Sequence, residues 1–235
     1  DTIGTSPDTY IVKGQLVLKA PDGGEEWNVN ESCSGFANHV PNDATGGYVQ
    51  WDKKGEIGSL KIEFSPTGDF GADTLTITST QAPGTDGIHE ITWPAGVVGA
   101  ERRVSESAKI RITAMWATPA LKLEVESKNP FKIKPSIGVI SVPGNGDIWD
   151  VPGSTDVTWT ANSGNLADGT SWPQVKIEYS IDGGGYNVLD GKSSVDCEND
   201  NTIQVTIPDQ KTEIAKIQIS FVDLFADVTK EAANV

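Results

Sequence analysis

Leu60-Lys61-Ile62-Glu63-Phe64-Ser65 alternates apolar and polar side chains with a period of two, and it returns as Val175-Lys176-Ile177-Glu178-Tyr179-Ser180. Such alternation marks a strand with one face buried. Working outward, Val49-Gln50-Trp51 recurs as Val157-Thr158-Trp159, and Ala108-Lys109-Ile110-Arg111-Ile112-Thr113 as Ala215-Lys216-Ile217-Gln218-Ile219-Ser220. Upstream, Leu16-Val17-Leu18-Lys19-Ala20-Pro21 leads into Asp22-Gly23-Gly24-Glu25-Glu26-Trp27, and Val139-Ile140-Ser141-Val142-Pro143 leads into Gly144-Asn145-Gly146-Asp147-Ile148-Trp149. Each is a strand, a Pro-Gly turn and a tryptophan. One β module is present twice. The 25 Gly and 13 Pro punctuate short runs of strand formers without helical periodicity, so the fold class is expected to be all-β. A chain of 235 residues accommodates two domains of about 100 residues, each with its own core.

The two copies end differently. Copy one closes with Phe131-Lys132-Ile133-Lys134-Pro135, an alternating strand, whereas copy two reaches only Val235, about the position matching Phe131. In copy two, strands are expected over 137–142, 155–161, 174–180, 186–190, 203–207 and 215–221, leaving that domain without its last strand. The edge strand 215–221 would face an acceptor groove lined by Ile217, Ile219, Phe221 and Val235. An unpaired edge of this kind invites a strand from elsewhere. Tyr10-Ile11-Val12-Lys13 has the character of Phe131 to Lys134 and precedes copy one, where no complete module needs it. The expected plan is a donor arm over 1–14, a complete domain over 15–135 and an incomplete acceptor domain over 136–235. Tyr10 to Lys13 of the next copy, entering the groove with Tyr10 and Val12 pointing inward, would reproduce through Gly14 and Leu16 the internal junction made by Phe131 to Ile137. The partner would be a neighbouring copy, and the product a head-to-tail homopolymer. The competing reading is a longer array of repeats cut at convenient points.

The Pro-Gly turn and Trp, the Val157-Thr158-Trp159 strand, the Ile177-Glu178-Tyr179-Ser180 strand and the Asp182-Gly183-Gly184 hairpin together resemble Ser-Thr-rich glycosylphosphatidylinositol-anchored family repeats. The resemblance covers nearly the whole chain from about Leu16. It implies two tandem immunoglobulin-like or fibronectin-III-like β-sandwiches of an extracellular microbial surface protein, and it implies no catalytic site. Insertions between Trp27 and Val49 and between Trp159 and Val175 depart from the pattern, and loops of that kind carry individuality. Three functions stay open: subunit of a pilus-like extracellular filament joined by donor-strand complementation, spacer repeat of a surface-layer or adhesin protein, and carbohydrate-binding module.

Of the two cysteines, Cys33 lies in the first insertion and Cys197 in the long loop after 186–190. In this sandwich topology those loops should meet at the domain junction, so a Cys33 to Cys197 disulfide is expected there, provided the Cα atoms approach within about 7 Å. A bridge between subunits and two free thiols are the alternatives; an extracellular location favours oxidation. Of the seven tryptophans, repeat matching assigns Trp27, Trp149, Trp51, Trp159 and Trp93, the last aligned with Ile207, to the cores. Trp116 and Trp172 fall outside the shared pattern and are candidates for lateral contacts or ligand platforms.

The net charge of −15 disfavours nucleic acid and anionic membrane. Up to Pro135 there are 13 basic and 18 acidic residues, net −5; beyond it there are 5 and 15, net −10. That gradient would favour head-to-tail contact. No window is long and apolar enough for a membrane span, and the first residues lack a signal pattern, as expected of a mature ectodomain. His39 and His89 have no metal or nucleophile partner at motif spacing, and no HExxH, Gly-x-Ser-x-Gly or phosphate loop occurs, so no enzyme and no cofactor are expected. Ser65-Pro66-Thr67-Gly68-Asp69, Asp182-Gly183-Gly184 and Asp196-Cys197-Glu198-Asn199-Asp200 lack calcium-loop spacing and read as turns. Asn30-Glu31-Ser32 is one sequon for a glycan.

Overall fold

The computed structural model describes residues 14–30, 47–115, 122–144 and 146–232, and no helix occurs among them. The chain is all-β, with several sheets. In the first half the strands are β1 (Gln15–Ala20), β2 (Glu26–Asn28), β3 (Tyr48–Lys54), β4 (Ser59–Ser65), β5 (Leu75–Gln81), β6 (Gly87–Thr92), β7 (Val97–Val98), β8 (Glu101–Arg102), β9 (Ser105–Met115), β10 (Lys122–Glu126) and β11 (Phe131–Lys134). The second half holds β12 (Ser136–Val142), β13 (Ser154–Asn162), β14 (Gln174–Ile181), β15 (Asn187–Val188), β16 (Val195–Asp196), β17 (Asp200–Thr206), β18 (Ala215–Phe221) and β19 (Thr229–Glu231).

Each half has a three-stranded sheet, β1-β3-β6 and β12-β13-β17, and a larger sheet, β2-β11-β9-β4-β5 with β10 on β9, and β15-β14-β18-β19 with β16 on β14. The sequence repeat is therefore a repeat of pairing. Leu18 faces Trp51 and Ile140 faces Trp159; Ile62 faces Ile112 and Ile177 faces Ile219. Trp51 faces His89 and Trp159 faces Asn201, which puts Trp93 in register with Val205 rather than with Ile207.

Inward residues of these strands build the core. Trp27, Trp51, Trp93, Trp159, Phe64, Phe131 and Phe221 are buried. Around Trp27, Phe131 lies at 5.0 Å and Trp93 at 6.3 Å between ring centroids, in the tilted and edge-on arrangements that aromatic pairs favour. The outward face of the repeated strand has its own rule. Lys61 reaches Glu63 at 2.5 Å and Lys176 reaches Glu178 at 2.9 Å, each pair two residues apart on one face of its strand. Arg111 on the neighbouring strand adds a second contact to Glu63 at 3.0 Å. Glu63 is held below the usual carboxylate range by these cations, although burial alone would raise it.

The second half does carry a short last strand, which corrects the expectation of six strands. β19 pairs with β18 through Gln218 to Glu231, Ile219 to Lys230 and Ser220 to Thr229. In the first half Arg111, Ile112 and Thr113 take the same roles opposite Glu126, Val125 and Glu124 of β10. β19 is the counterpart of β10, and no strand among the described residues is the counterpart of β11. Sequence reading took Phe131 to Pro135 as the one closing strand and did not see β10, whose five residues are too short a run to stand out before the polar turn at 127–130.

Candidate functional site

β11 fills a defined place in the first half. It runs antiparallel to the first part of β9, Phe131 opposite Ala108 and Ile133 opposite Ser105, and parallel to β2, Lys132 to Lys134 beside Glu26 to Asn28. Backbone bonds from Lys132 N to Glu25 O and from Val29 N to Lys134 O, both 2.8 Å, tie its two ends to the flanks of β2. Phe131 and Ile133 are fully buried, and the site an added Cβ on Gly96 would take lies 3.1 Å from the Ile133 Cγ2, so Ile133 packs against the Ala95-Gly96 backbone.

In the second half that place is a groove of about 600 Å³. Its walls include Trp149, Val151, Tyr179, Ile207, Ala215 and Ile217. By the repeat these match Trp27, Val29, Phe64, Ala95, Ala108 and Ile110, all buried in the first half. The groove is thus the β11 position without β11. Three local features follow. Residues 147–150 match β2 but form no strand, because β2 is held by its parallel pairing with β11. Ile148 is 91% exposed, and Trp149 is only half-buried where Trp27 is 1% exposed. The first part of β18, Ala215 and Lys216, pairs with β14 on one side, while β19 covers only Gln218 to Ser220 on the other.

Of the expected groove residues, Ile217 lines it. Ile219 and Phe221 lie farther along β18, where β19 and Phe225, 6.5 Å from Phe221 between ring centroids, cover them. Tyr10, Ile11, Val12, Lys13, Cys33, His39, Trp116 and Val235 lie outside the described residues. Cys197 is a free thiol, completely buried, so the expected disulfide is not formed. Its backbone N–H donates to Pro173 O, which draws the residue inward. Burial pushes the thiol up to about 11, partly offset by the neighbouring Trp159 indole. The oxygen-rich loop at 65–73 is closed on itself: Asp69 and Asp73 both accept from the Thr67 hydroxyl at 2.7 Å, and Gly68 N donates to Ser65 Oγ. No group of acidic, His or Cys side chains fit for a metal occurs among the described residues.

A second cavity, about 510 Å³ and polar, lies where the halves meet. The β7-β8 hairpin of the first half and the 163–172 insertion of the second join through Val104 N to Asn165 O and Asn165 N to Arg102 O, both 3.0 Å. Asn162 Nδ2 donates to Val29 O at 2.6 Å, and Lys134 bridges Glu26 and Asp227 at 2.7 Å each. Trp172, one of the two unmatched tryptophans, lines this cavity. Sequence reading flagged Trp172 but missed Arg102 and Arg103, whose adjacency in an arginine-poor chain was the available signal.

No protein-family model matches the chain, and no curated protein is found to be similar to it. Among solved structures, a YadV chaperone is similar at 12% identity with a TM-score of 0.23, over 95% of this chain and 100% of that one. At that score the likeness carries no argument about fold or function.

Proposed function

We propose that this chain is the structural subunit of an extracellular filament, built of two tandem immunoglobulin- or fibronectin-III-like sandwiches and joined head to tail by strand donation. The observation that carries the reading is the apolar groove in the second half at the position β11 fills in the first. The donor is Tyr10-Ile11-Val12-Lys13 of the next copy, which matches Phe131-Lys132-Ile133-Lys134 in its aromatic residue, its β-branched residue and its closing lysine. It adds as β11 does, with main-chain bonds to the free part of β18 and to residues 147–150, and with Tyr10 and Val12 seated among Trp149, Ile207 and Ala215. Burying two such side chains stabilises the joint by about 1.5–3 kcal/mol each. The resemblance to cell-surface repeats supports an extracellular setting and a mechanical role.

A second reading has its own support. β11 follows β10 directly in sequence, and β19 is the β10 counterpart, so in a longer array of repeats the residues after β19 would fill the groove and the chain would be a spacer. Size in solution separates the two. The whole chain and a form lacking residues 1–14 are compared by analytical ultracentrifugation. Filament formation requires long assemblies from the former and monomers from the latter, capped by a peptide spanning Thr9 to Leu16. Two equally monomeric forms would overturn strand donation and leave the spacer.

A further inference from the structure

The joint between the halves holds a polar cavity for which strand donation has no use. We infer that it is a binding site for an acidic sugar, a uronate ring whose carboxylate meets Arg102 and whose ring lies beside Trp172. Two of the chain's three arginines stand here, in a molecule of net charge −15, so the positive charge is local. Their states differ. Arg103 is buried and already paired with Glu101 at 2.6 Å. Arg102 forms no ion pair among the described residues, and its one polar side-chain contact there is Asn162 Oδ1 at 3.5 Å, the limit of a hydrogen bond. A guanidinium in that state is a ready fork for a carboxylate.

The rest of the wall suits hydroxyl groups. Ser163 is completely buried, lines the cavity, and its Oγ has no hydrogen-bond partner among the described residues. Buried hydroxyls are rarely left so, which sets this one apart in the cavity wall. Asn199 accepts from Ser163 N at 3.1 Å, which holds its carboxamide at the rim, and Asn165 donates to Thr170 O at 3.3 Å. The half-buried Trp172 supplies the apolar surface that the carbon-bound hydrogens of a sugar ring need. A cavity near 510 Å³ lies within the roughly 300–1,000 Å³ span of small-ligand sites.

The loop is built to keep this shape. Asp168 accepts from Thr170 N at 2.9 Å, Ser171 N at 2.8 Å and the Ser171 hydroxyl. Gly169, at φ +76°, lies so close to Arg103 that a Cβ would sit 2.6 Å from its Nη2. The hairpin, the insertion and Asn199 come from both halves, so the site exists only when the joint is formed.

The test is titration calorimetry of the whole chain with three probes, trigalacturonate, a mannuronate trimer and a hyaluronan tetrasaccharide, and with the fully methyl-esterified trigalacturonate as the neutral control. Saturable binding of at least one acidic probe is expected, weakened about tenfold or more by esterification, by Arg102→Gln and by Trp172→Ala. Glu101→Gln removes a carboxylate that itself lines the cavity and frees Arg103, so it is expected to tighten binding severalfold while lowering the unfolding temperature, because buried Arg103 loses its partner. No saturable binding of any acidic probe in the millimolar range would overturn the site. So would equal affinity for the ester, or unchanged affinity in both Arg102→Gln and Glu101→Gln.

Discussion

The two halves share register, core positions and the Lys-Ile-Glu strand face, yet one is closed by β11 and the other has, among the described residues, no strand at the same place. The difference lies in a single strand, and it propagates. Where β11 is present, residues 26–28 become a strand and Trp27 is 1% exposed; where the described residues hold no counterpart of it, residues 147–150 are irregular and Trp149 is half-exposed. A strand of four residues between β2 and β9 thus decides whether a neighbouring segment has any regular structure at all. The second half is a built-in control for what β11 contributes to the first.

The largest effect should come from emptying the closed half. Phe131→Ala removes a fully buried ring packed on Trp27 and is expected to cost about 3–5 kcal/mol, read as a lower midpoint for the first transition in urea. A loss near zero would mean that β11 is an ornament and the comparison is wrong. Next, Trp27→Ala and Trp149→Ala occupy matched positions but should differ: about 3–5 kcal/mol for the buried ring and about 1 kcal/mol for the half-exposed one. Adding the Thr9 to Leu16 peptide should widen the Trp149→Ala penalty, and equal penalties without peptide would show that the groove is already filled.

Cys197 tests the closed interior of the open half. Its thiol is raised to about 11 against an ordinary 9.0, so the folded protein keeps the proton longer than the unfolded chain. Stability from this group is fully present below pH 9 and is lost as pH rises through about 11. Alkylation by iodoacetamide at pH 8 should be slow in the native protein and rapid in denaturant; fast native labelling would show that the sulfur is reachable.

The smallest effect concerns the insertion at the joint. The Asp168 carboxyl is held at about 2, below the ordinary 3.8, first by the Ser171 hydroxyl and then by the Thr170 and Ser171 amides. A depressed carboxylate adds stability above pH 3.8 that is lost as pH falls through about 2. Asp168→Asn should flatten the acid limb of the stability profile in that window because the variant lacks this contribution at neutral pH, read there as a lower unfolding temperature than the parent's. An unchanged acid limb would remove Asp168 from the loop's support.

Particular residues show how much was legible. The alternation in Leu60 to Ser65 and its return in Val175 to Ser180 gave the strands and their faces, because side chains on a strand alternate without reference to any partner. The groove was legible as a shortage of one strand. Its extent was not: Ile219 and Phe221 were read as open, whereas β19 pairs beside Ile219 and Phe225 packs on Phe221, since three polar residues of β19 carry no periodic signal. The expected disulfide failed for a similar reason. Loop order along the chain brings Cys197 toward the joint, but its N–H is held by Pro173 O and its side chain is completely buried.

By itself the sequence determined the β class, the doubled module and the apolar positions of each core, because these follow from period and burial preference within single segments. Tertiary structure alone decided the pairing of Lys134 with Asp227, the meeting of Arg102 with Asn162 and the parallel union of β2 with β11. Each depends on segments far apart in the chain meeting at atomic distance, and hydrogen bonds and ion pairs vary too steeply with that distance for composition or spacing to specify them.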